Sequence, residues 1–478
     1  MKNKFLYQLL SGVSQVMVPL LSYPYVSRIL GPERLGKINY VDFLTQMFII
    51  FASFGIPYYA IREVAVVRNE PEKRSKLVAE LVLLHLAFSL TALFVFVLST
   101  SANWVEQRTL YLLATANILF STFTVDWYLQ GTEAFGAAAV RYFLVRAGVL
   151  IAIFLLVHRE TDDTLYFTIH SLGFMAIALW NSRKMFGENR FSGYRIELKR
   201  HLRPLAHFFL TSSAITLYIY FDTVLLQHFT RSDLQVGYYT TAVKLVKIFL
   251  IGLLAIGTVL MPRISFLVST GKQEEAGKQL QKNLEFLVVS GLPVSIGLLA
   301  LAPETIRVVV GDKFIPATTL IRILSFIPFV IALGNLYCFQ ILVPFKKEKN
   351  LLLLVSMGCL LSIGLNLLLI PRMGASGSAW ANIITESAIA LFAGIQAARC
   401  IQLKFPLKLI LGCTACCLPF FPIISGLRHI TESPFSIFVL AVAGCAASYF
   451  LLLKRITGSR LVEEARQSIT GFFSTTSD

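Results

Sequence analysis

Long apolar runs constrain the fold of this chain more than any other feature of its sequence. Three of them read LYLLATANILF (110–120), KLVKIFLIGLLAIGTVLM (244–261) and LLLLVSMGCLLSIGLNLLLI (351–370). A helix of about 20 apolar residues crosses the hydrocarbon core of a bilayer and satisfies its own backbone hydrogen bonds there. Charged residues make up 15% of the chain, against about 25% in soluble proteins. The sequence therefore predicts an all-α polytopic membrane protein.

The apolar segments form fourteen predicted spans. Their limits are 8–30, 38–58, 77–99, 109–130, 138–158, 164–182, 204–229, 238–261, 284–302, 317–342, 350–370, 376–398, 406–426 and 435–453. If the N-terminus is cytoplasmic, the cytoplasmic segments hold roughly three times as many Lys and Arg residues as the opposite loops. This asymmetry predicts a multi-pass protein of the bacterial inner membrane with both termini cytoplasmic. The net charge of +16 has the same origin, so we expect no nucleic-acid partner.

A weak internal repeat predicts two pseudo-symmetric six-helix lobes around a central cavity, plus two C-terminal helices. LGKINYVDFLTQ after the first span corresponds to QVGYYTTAVKLVK after the seventh, which pairs Gly36 with Gly237, and Gln130 pairs with Gln340 further on. Halves of parallel topology are related by an axis along the membrane normal. The predicted segments are an N-terminal lobe (1–185), a basic cytoplasmic linker (186–203), a C-terminal lobe (204–400), transmembrane helices 13 and 14 (401–455) and a cytoplasmic tail (456–478).

Basic side chains inside the predicted spans are candidates for binding an anionic cargo. A charge within a span is costly unless it faces a bundle interior or a water-filled cavity. Lys244 and Lys247 lie three residues apart and share a helix face. Positive charges in a cleft of low dielectric constant attract phosphate strongly. The candidate residues are Arg28, Arg141, Lys244, Lys247 and Arg322. Alternatively, the three arginines, which lie near span ends, extend to lipid headgroups.

A second set of polar residues is predicted to line the cavity or to couple transport to an ion. It comprises Asn39, Asp42, Gln46, Asp126, Asp222 and Glu386. The first three form a polar stripe on the second span, at the position that corresponds to the lysine pair in the repeat. Asp126, beside Trp127 and Tyr128, is alternatively an anchor at the membrane interface. The other acidic residues alternatively pair with bases of the cavity.

Motifs for cofactors and catalysis fail on inspection. GPERLGK (31–37) has the spacing of a phosphate-binding P-loop up to Lys37, but Ile38 stands where Ser or Thr would hold magnesium, and no strand precedes it. All seven cysteines lie in or beside apolar spans of the last third, so we expect them to pack between helices without disulfides or a metal. The short loops offer little scaffold for an active site. We therefore predict no cofactor, no metal and no enzymatic activity.

Several segments carry a resemblance to a known family. SYPYVSRILGPERLGKINY (22–40), FASFGIPYYAIREVAVVR (51–68), DWYLQGTEAFGAAAVR (126–141) and GLNLLLIPRMGASGSAWANIITE (364–386) resemble Wzx-type O-antigen and polysaccharide flippases of the multidrug/oligosaccharidyl-lipid/polysaccharide exporter superfamily. The resemblance implies two six-helix lobes facing across a V-shaped cavity, without an ATP site. It also implies alternating access coupled to an ion gradient. Arg28, Asp42 and Arg141 lie in or beside the matching segments, and the resemblance assigns them no role.

The resemblance and the basic spans together lead to a functional prediction. We expect a flippase that moves undecaprenyl-diphosphate-linked oligosaccharide repeat units from the cytoplasmic to the periplasmic leaflet, for O-antigen, capsule or exopolysaccharide synthesis. Its partners would be membrane lipid and the lipid-linked oligosaccharide, with a polysaccharide polymerase and chain-length machinery as further candidates, and its transport unit would be a monomer. The alternatives are a cation-coupled small-molecule exporter of the same fold and a membrane glycosyltransferase or polymerase.

Overall fold

A computed structural model gives the structure of residues 2–101, 104–191 and 193–456. Within these ranges the chain consists of helices joined by short turns, and no β-strand occurs in them. The all-α prediction is therefore confirmed for this part of the chain. The predicted tail lies outside the described residues, except for its first residue.

The chain forms two compact units, Met1–Gly237 and Tyr238–Asp478. The helices of the first unit are Lys2–Ser53 (α1), Ile56–Val67 (α2), Pro71–Thr100 (α3), Trp104–Phe120 (α4), Asp126–Gly131 (α5), Phe135–Leu156 (α6), Asp163–Glu188 (α7) and Lys199–Thr230 (α8). Helix α9, Asp233–Ser269, begins in the first unit and continues into the second. Because α8 packs against α1 and α2, it belongs to the first unit. The division into six-helix lobes at the linker 186–203 remains a prediction.

The second unit continues with helices that match the later predicted spans in order. They are Gln273–Ala300 (α10), Ala302–Val309 (α11), Thr318–Leu324 (α12), Ile327–Asn335 (α13), Glu348–Met373 (α14), Ala375–Ala398 (α15), Leu407–Cys417 (α16), Phe420–Ile430 (α17) and Pro434–Ile456 (α18). A π-helix, Leu336–Leu342, follows α13 directly. Free cysteines from α16 and α18 lie in a buried apolar cluster with residues of α10.

The first predicted span, 8–30, and most of the second, 38–58, lie in α1, which consists of two helical arms that meet at a kink. It bends at Gly31, whose backbone (φ 74°, ψ 175°) leaves the helical region and is open only to glycine without strain. Pro32 follows at the first position of the resumed helix, where the missing N–H costs nothing. The expectation of a loop at 31–37 is therefore wrong.

The helical stretch that replaces this loop contacts α7 through an ion-pair cluster. The Arg34 and Lys37 side chains, three residues apart on one helix face, lie 3.4 and 3.2 Å from the carboxylate of Asp163. Asp163 itself is buried. The three charges fix the start of α7 against α1.

Other predicted spans are broken inside the apolar segment. The span 38–58 is interrupted at Phe54 and Gly55, both with positive φ (41° and 76°). The span 109–130 is interrupted between α4 and α5, where Val125 also has a positive φ of 41°. Hydropathy alone did not reveal these breaks, because every interrupting residue is apolar or small.

Eight stretches of the described chain are long and apolar enough to cross a membrane, and the number is ten if each of two bent helix pairs is one span. The bent pairs are Leu20–Ser53 with Ile56–Val67 (43°) and Asp312–Leu324 with Ile327–Leu342 (41°). The multi-pass character is thus confirmed. The number fourteen remains a prediction.

Two glycines that the repeat pairs in sequence lie against each other where α1 meets the start of α9. A Cβ atom on Gly36 would lie 1.7 Å from the carbonyl oxygen of Asp233 and 2.6 Å from the backbone nitrogen of Gly237. A Cβ atom on Gly237 would lie 1.8 Å from the carbonyl oxygen of Pro32. The two helix backbones therefore touch, which no larger side chain would allow.

Candidate functional site

The break between α4 and α5 presents a partly buried polar cluster around Asp126. Tyr142 on α6 donates its hydroxyl hydrogen to the Asp126 carboxylate, and Asn181 Nδ2 on α7 donates to Oδ1 at 3.0 Å. The same nitrogen donates to the carbonyl oxygen of Thr124 at 3.0 Å. Backbone groups freed by a break within a membrane need such a partner. Asn181 thus satisfies the break and holds Asp126 in place.

Two arginines of α6 surround this carboxylate. Arg141 is 7% exposed and donates through Nη1 to the carbonyl oxygen of Trp180 at 3.3 Å. The Arg146 guanidinium lies 5.4 Å from the centre of the Tyr142 ring, a cation–π distance. Both arginines lie within electrostatic range of Asp126. The structure therefore brings together Arg141 and Asp126, which the sequence placed in separate sets.

Arg146 also lies inside the predicted span 138–158, but it was not among the candidate residues chosen from the sequence. Its place four residues after Tyr142 puts the two side chains on one helix face. That spacing was a signal that could have added Arg146 to the candidates.

The polar stripe of α1 faces its own unit. Asn39 is buried, and Asp42 and Gln46 are half-buried. Asp42 lies within electrostatic range of Tyr166 on α7 and Tyr220 on α8. The predicted stripe therefore lies on one helix face that is bordered by aromatic hydroxyls.

Arg28 and Asp222 occupy contrasting places in the first unit. Arg28 is exposed on α1, three residues before the bend. Asp222 on α8 is 8% exposed, and its carboxylate accepts the backbone N–H of Thr223 at 2.6 Å and the hydroxyl of Thr223 at 3.3 Å. Asp222 is thus already hydrogen-bonded within its own helix.

The remaining candidates lie in the second unit. Lys244 and Lys247 are half-buried neighbours on α9. Arg322 is exposed near the end of α12, and Glu386 is half-buried on α15, within electrostatic range of Cys338. Because α12 packs against α15, Arg322 and Glu386 lie on neighbouring helices. Their roles in binding or coupling remain predictions.

Sequence reasoning missed a buried carboxylate near the start of α3. Glu80 is fully buried and accepts hydrogen bonds from Arg200 Nη2, from His201 Nε2 at 2.9 Å and from the backbone N–H of Glu197 at 2.8 Å. The Tyr59 hydroxyl lies 2.8 Å from the other ring nitrogen of His201. A glutamate four residues inside the predicted span 77–99 was the available signal.

A cavity of about 470 Å³ opens in the first unit. Its lining residues are Arg68, Asn69, Arg74, Thr132, Glu133, Ala134, Lys184 and Glu188. Two ion pairs lie in this lining, Arg68 with Glu133 at 2.5 Å and Lys184 with Glu188 at 3.8 Å. The third basic residue, Arg74, donates instead to Asn189 Oδ1 and to the carbonyl oxygens of Arg68 and Glu188. None of the predicted site residues lines this cavity. In the described residues, no group of three or more His, Cys, Asp or Glu side chains is placed to hold a metal.

Comparison with known sequences places this site in a family context. Residues 1–268 match the model of a family described as "Polysaccharide biosynthesis protein". A protein of Escherichia coli (strain K12) named "Putative O-antigen transporter" is 25% identical over 373 residues, which make up 74% of this chain and 87% of that protein.

Two solved structures share the fold. The lipid II flippase MurJ in an inward closed conformation matches with a TM-score of 0.72 at 15% identity, over 94% of this chain and 98% of that chain. An inward-facing multidrug resistance MATE family transporter of the MOP superfamily matches with a TM-score of 0.60 at 14% identity, over 83% and 94% of the two chains. The predicted fold class is thereby confirmed as that of MurJ and MATE transporters.

Proposed function

The chain belongs to the polysaccharide biosynthesis protein family, and we propose that it flips undecaprenyl-diphosphate-linked oligosaccharide repeat units from the cytoplasmic to the periplasmic leaflet. The unit would serve O-antigen, capsule or exopolysaccharide synthesis. Transport would proceed by alternating access in the bacterial inner membrane, with both termini cytoplasmic. The protein would act as a transporter without catalytic chemistry, as a monomeric transport unit supplying a polymerase and its chain-length machinery.

The main support for this proposal is that two similarities coincide in this chain. It has a relative named for O-antigen transport, and it has the fold of a flippase over nearly its whole length. The relative matches 74% of the chain, and the MurJ fold covers 94% of it. The relative's name points to a polysaccharide cargo, and MurJ is a flippase of a lipid. A lipid-linked polysaccharide precursor joins both properties.

The charges within the helices support an anionic cargo. Lys244 and Lys247 present two ammonium groups on one face of α9. In the first unit, Arg141 and Arg146 share Asp126 as an internal counter-anion. A diphosphate can replace that carboxylate, because guanidinium groups bind phosphate through forked, charge-assisted hydrogen bonds. Asp126 would then keep the arginines ordered between transport cycles.

Helices α16 to α18 are proposed to line a groove for the polyprenyl tail. They are held to the second unit by specific contacts. Tyr449 donates its hydroxyl hydrogen to the carbonyl oxygen of Val289 at 2.7 Å, and Arg428 donates to Glu304 at 2.8 and 2.9 Å. Such fixed helices offer a lasting apolar surface. Normal flipping after their deletion would remove this part of the proposal.

Deletion of the gene tests the function directly. We expect lipid-linked repeat units to accumulate in the cytoplasmic leaflet, where an enzyme probe added from the periplasmic side does not reach them. Re-expression of the wild-type chain should restore access. Equal periplasmic exposure of the repeat units in deletion and wild-type cells would refute the proposal.

A cation-coupled exporter of small molecules is the second candidate. It is favoured by the MATE-like fold and by the half-buried Asp42 beside two tyrosines. In that case the deletion strain should become sensitive to cationic drugs while its surface polysaccharide stays normal. A flippase predicts the reverse pattern.

A further inference from the structure

Hydrogen bonds hold the segment between α7 and α8 against α3. We use the term strap for residues 189–191 and 193–203, which comprise the described part of that segment and the first turn of α8. It lies across the first turns of α3, a helix apolar enough to span the membrane. Its contacts fall between Arg74 and Glu80 of α3, where the apolar part of that helix begins. The strap therefore lies where the stretch of α3 that is apolar enough to span a membrane begins.

Side-chain hydrogen bonds fix the strap at its beginning. Asn189 accepts at Oδ1 from Arg74 Nε at 3.1 Å and from the Ser75 hydroxyl at 3.4 Å. The backbone N–H of Arg190 donates to that same hydroxyl oxygen at 3.1 Å. The first residues of the strap are thus bound to the first turn of α3.

The buried carboxylate of Glu80 fixes the other end. It binds the backbone N–H of Glu197 and the side chains of Arg200 and His201. Glu197 also pairs through its own side chain with Lys76 at 3.1 Å. Because both ends of the strap are bound to α3, the side chains that point away from α3 form a surface of defined shape.

That outer surface combines unmatched positive charge with large apolar side chains. Its exposed members are Arg190, Phe191, Arg195, Ile196, Lys199, Leu202 and Arg203. Within the described part of the chain, none of its four basic side chains forms an ion pair. By contrast, Lys272 and Lys278 near the start of α10 pair with Glu275 and Glu274 at 3.6 and 2.7 Å. The outer surface of the strap is therefore basic and apolar, and no carboxylate of the described residues pairs with its four basic side chains.

We propose that the strap is a docking surface for the headgroups of anionic phospholipids in the adjoining leaflet. Phosphate groups would bind the arginines, while Phe191 and Ile196 would enter the apolar layer below the headgroups. Basic side chains next to a membrane attract anionic lipids, and apolar side chains among them favour the boundary over a purely aqueous partner. This inference depends on the membrane location of the chain and is independent of the cargo.

Photolabelling of the reconstituted full-length chain tests the proposal. The chain is placed in phosphatidylcholine vesicles that contain a photoactivatable phosphatidylglycerol, and label is measured on peptides covering the strap. We expect the variant Arg190→Gln with Arg195→Gln to lose label roughly tenfold, since each basic residue adds appreciable affinity for an anionic surface. The matched control, Lys272→Gln with Lys278→Gln, removes the same charge from paired lysines and should leave the strap label unchanged.

Further arms of the experiment separate the competing outcomes. Equal labelling of the strap by phosphatidylcholine and phosphatidylglycerol analogues would overturn the proposal, as would label that persists in the arginine variant. Loss of label on addition of inorganic phosphate at constant ionic strength would assign the surface to a soluble anion instead. All substituted side chains are exposed, and an unchanged size-exclusion profile verifies that each variant is folded.

Discussion

His201 Nε2 donates a hydrogen bond to Oε2 of Glu80 at 2.9 Å, although the two residues are 121 positions apart in the chain. This assignment of the histidine proton follows from the carboxylate, which only accepts and lies nearer than Arg200 Nε, 3.2 Å from the same ring nitrogen. A protonated Nε2 does not accept a hydrogen bond from that arginine. The other ring nitrogen then accepts the Tyr59 hydroxyl hydrogen. One hydrogen-bonded row thus joins α2, the start of α8 and α3. It fixes where α8 begins.

Replacing Glu80 should therefore destabilise the first unit. We expect Glu80→Ala to lower the free energy of unfolding by about 1–3 kcal/mol, because the buried donors on His201 and on the backbone of Glu197 lose their acceptor. Glu80→Gln should cost less, since an amide oxygen still accepts. Thermal unfolding in detergent measures the loss, and limited proteolysis should cut the strap faster in both variants.

Glu197→Gln is the matched control for this prediction. It removes an exposed ion pair with Lys76 but leaves the backbone N–H of residue 197 on Glu80. Exposed pairs contribute little, so the change should stay below about 0.5 kcal/mol. A loss as large as that of Glu80→Ala would contradict the assigned role of the buried carboxylate.

The lysine pair of α9 should be required for transport. Replacing Lys244 and Lys247 together by Ala should abolish surface polysaccharide while membrane insertion stays normal, because the proposed diphosphate site loses two positive charges. Immunoblots of polysaccharide and of membrane protein measure both effects. The double replacement of Lys272 and Lys278 by Ala is the control, and wild-type polysaccharide in the first variant would rule out the assignment.

Asn181→Ala should weaken the break between α4 and α5. The carbonyl oxygen of Thr124 and the carboxylate of Asp126 each lose a donor at 3.0 Å. An unsatisfied buried acceptor costs about 1–3 kcal/mol, which chemical unfolding in detergent can measure. Ser182→Ala removes only a hydroxyl bonded to Leu179 of its own helix and should cost much less. Equal losses for both variants would show that the break needs no support from α7.

Two glycine substitutions should act in opposite directions. Gly36→Ala places a Cβ atom against the backbone of α9, and such overpacking typically costs about 1–3 kcal/mol. Gly148→Ala in α6 meets no atom within 4 Å, and should stabilise by about 0.4–1 kcal/mol because the unfolded chain loses freedom. Melting temperatures of the two variants provide the comparison. A neutral Gly36→Ala would mean that the helices do not cross this closely.

The turn before α7 should loosen in acid. The backbone N–H groups of His158 and Arg159 donate to Asp162 at 2.9 and 2.8 Å, and they lower the pKa of this carboxyl. A lowered pKa in the folded state means that the stabilisation is complete above the unfolded value of about 3.9 and is lost as pH falls through the folded value. Asp162→Asn should therefore speed amide hydrogen exchange at His158 and Arg159 at neutral pH. In this variant, acid should no longer reduce the protection of these two amides. Identical exchange in wild type and variant would contradict this.

The sequence was sufficient for the fold class because apolar length is a physical requirement of the bilayer. It did not predict that the helix resumes directly after the kink at Gly31, since hydropathy drops at Glu33 and Arg34 whether the backbone is coiled or helical. It also missed the break at Val125, where a β-branched residue adopts a left-handed conformation. These details depend on contacts between distant segments.

The candidate site was predictable only in part, because its geometry also depends on contacts between distant segments. Charges inside spans were found by inspection, which identified Arg141 and Asp126 separately. Their proximity depends on how α6 packs beside the break before α5, which no local pattern specifies. Glu80 was overlooked because a carboxylate near a span end is ordinarily solvated, whereas here the strap covers it.

The bend of α1 at Gly31 has a mechanical consequence. A loop between the two arms would allow one arm to move without the other. A helix that resumes directly after Gly31 leaves no flexible segment for this. The two arms of α1 are joined through the φ and ψ torsions of Gly31, which makes this residue the single hinge between them. A rotation about φ or ψ of Gly31 would change the direction of the second arm, which carries Asn39, Asp42 and Gln46, relative to the first.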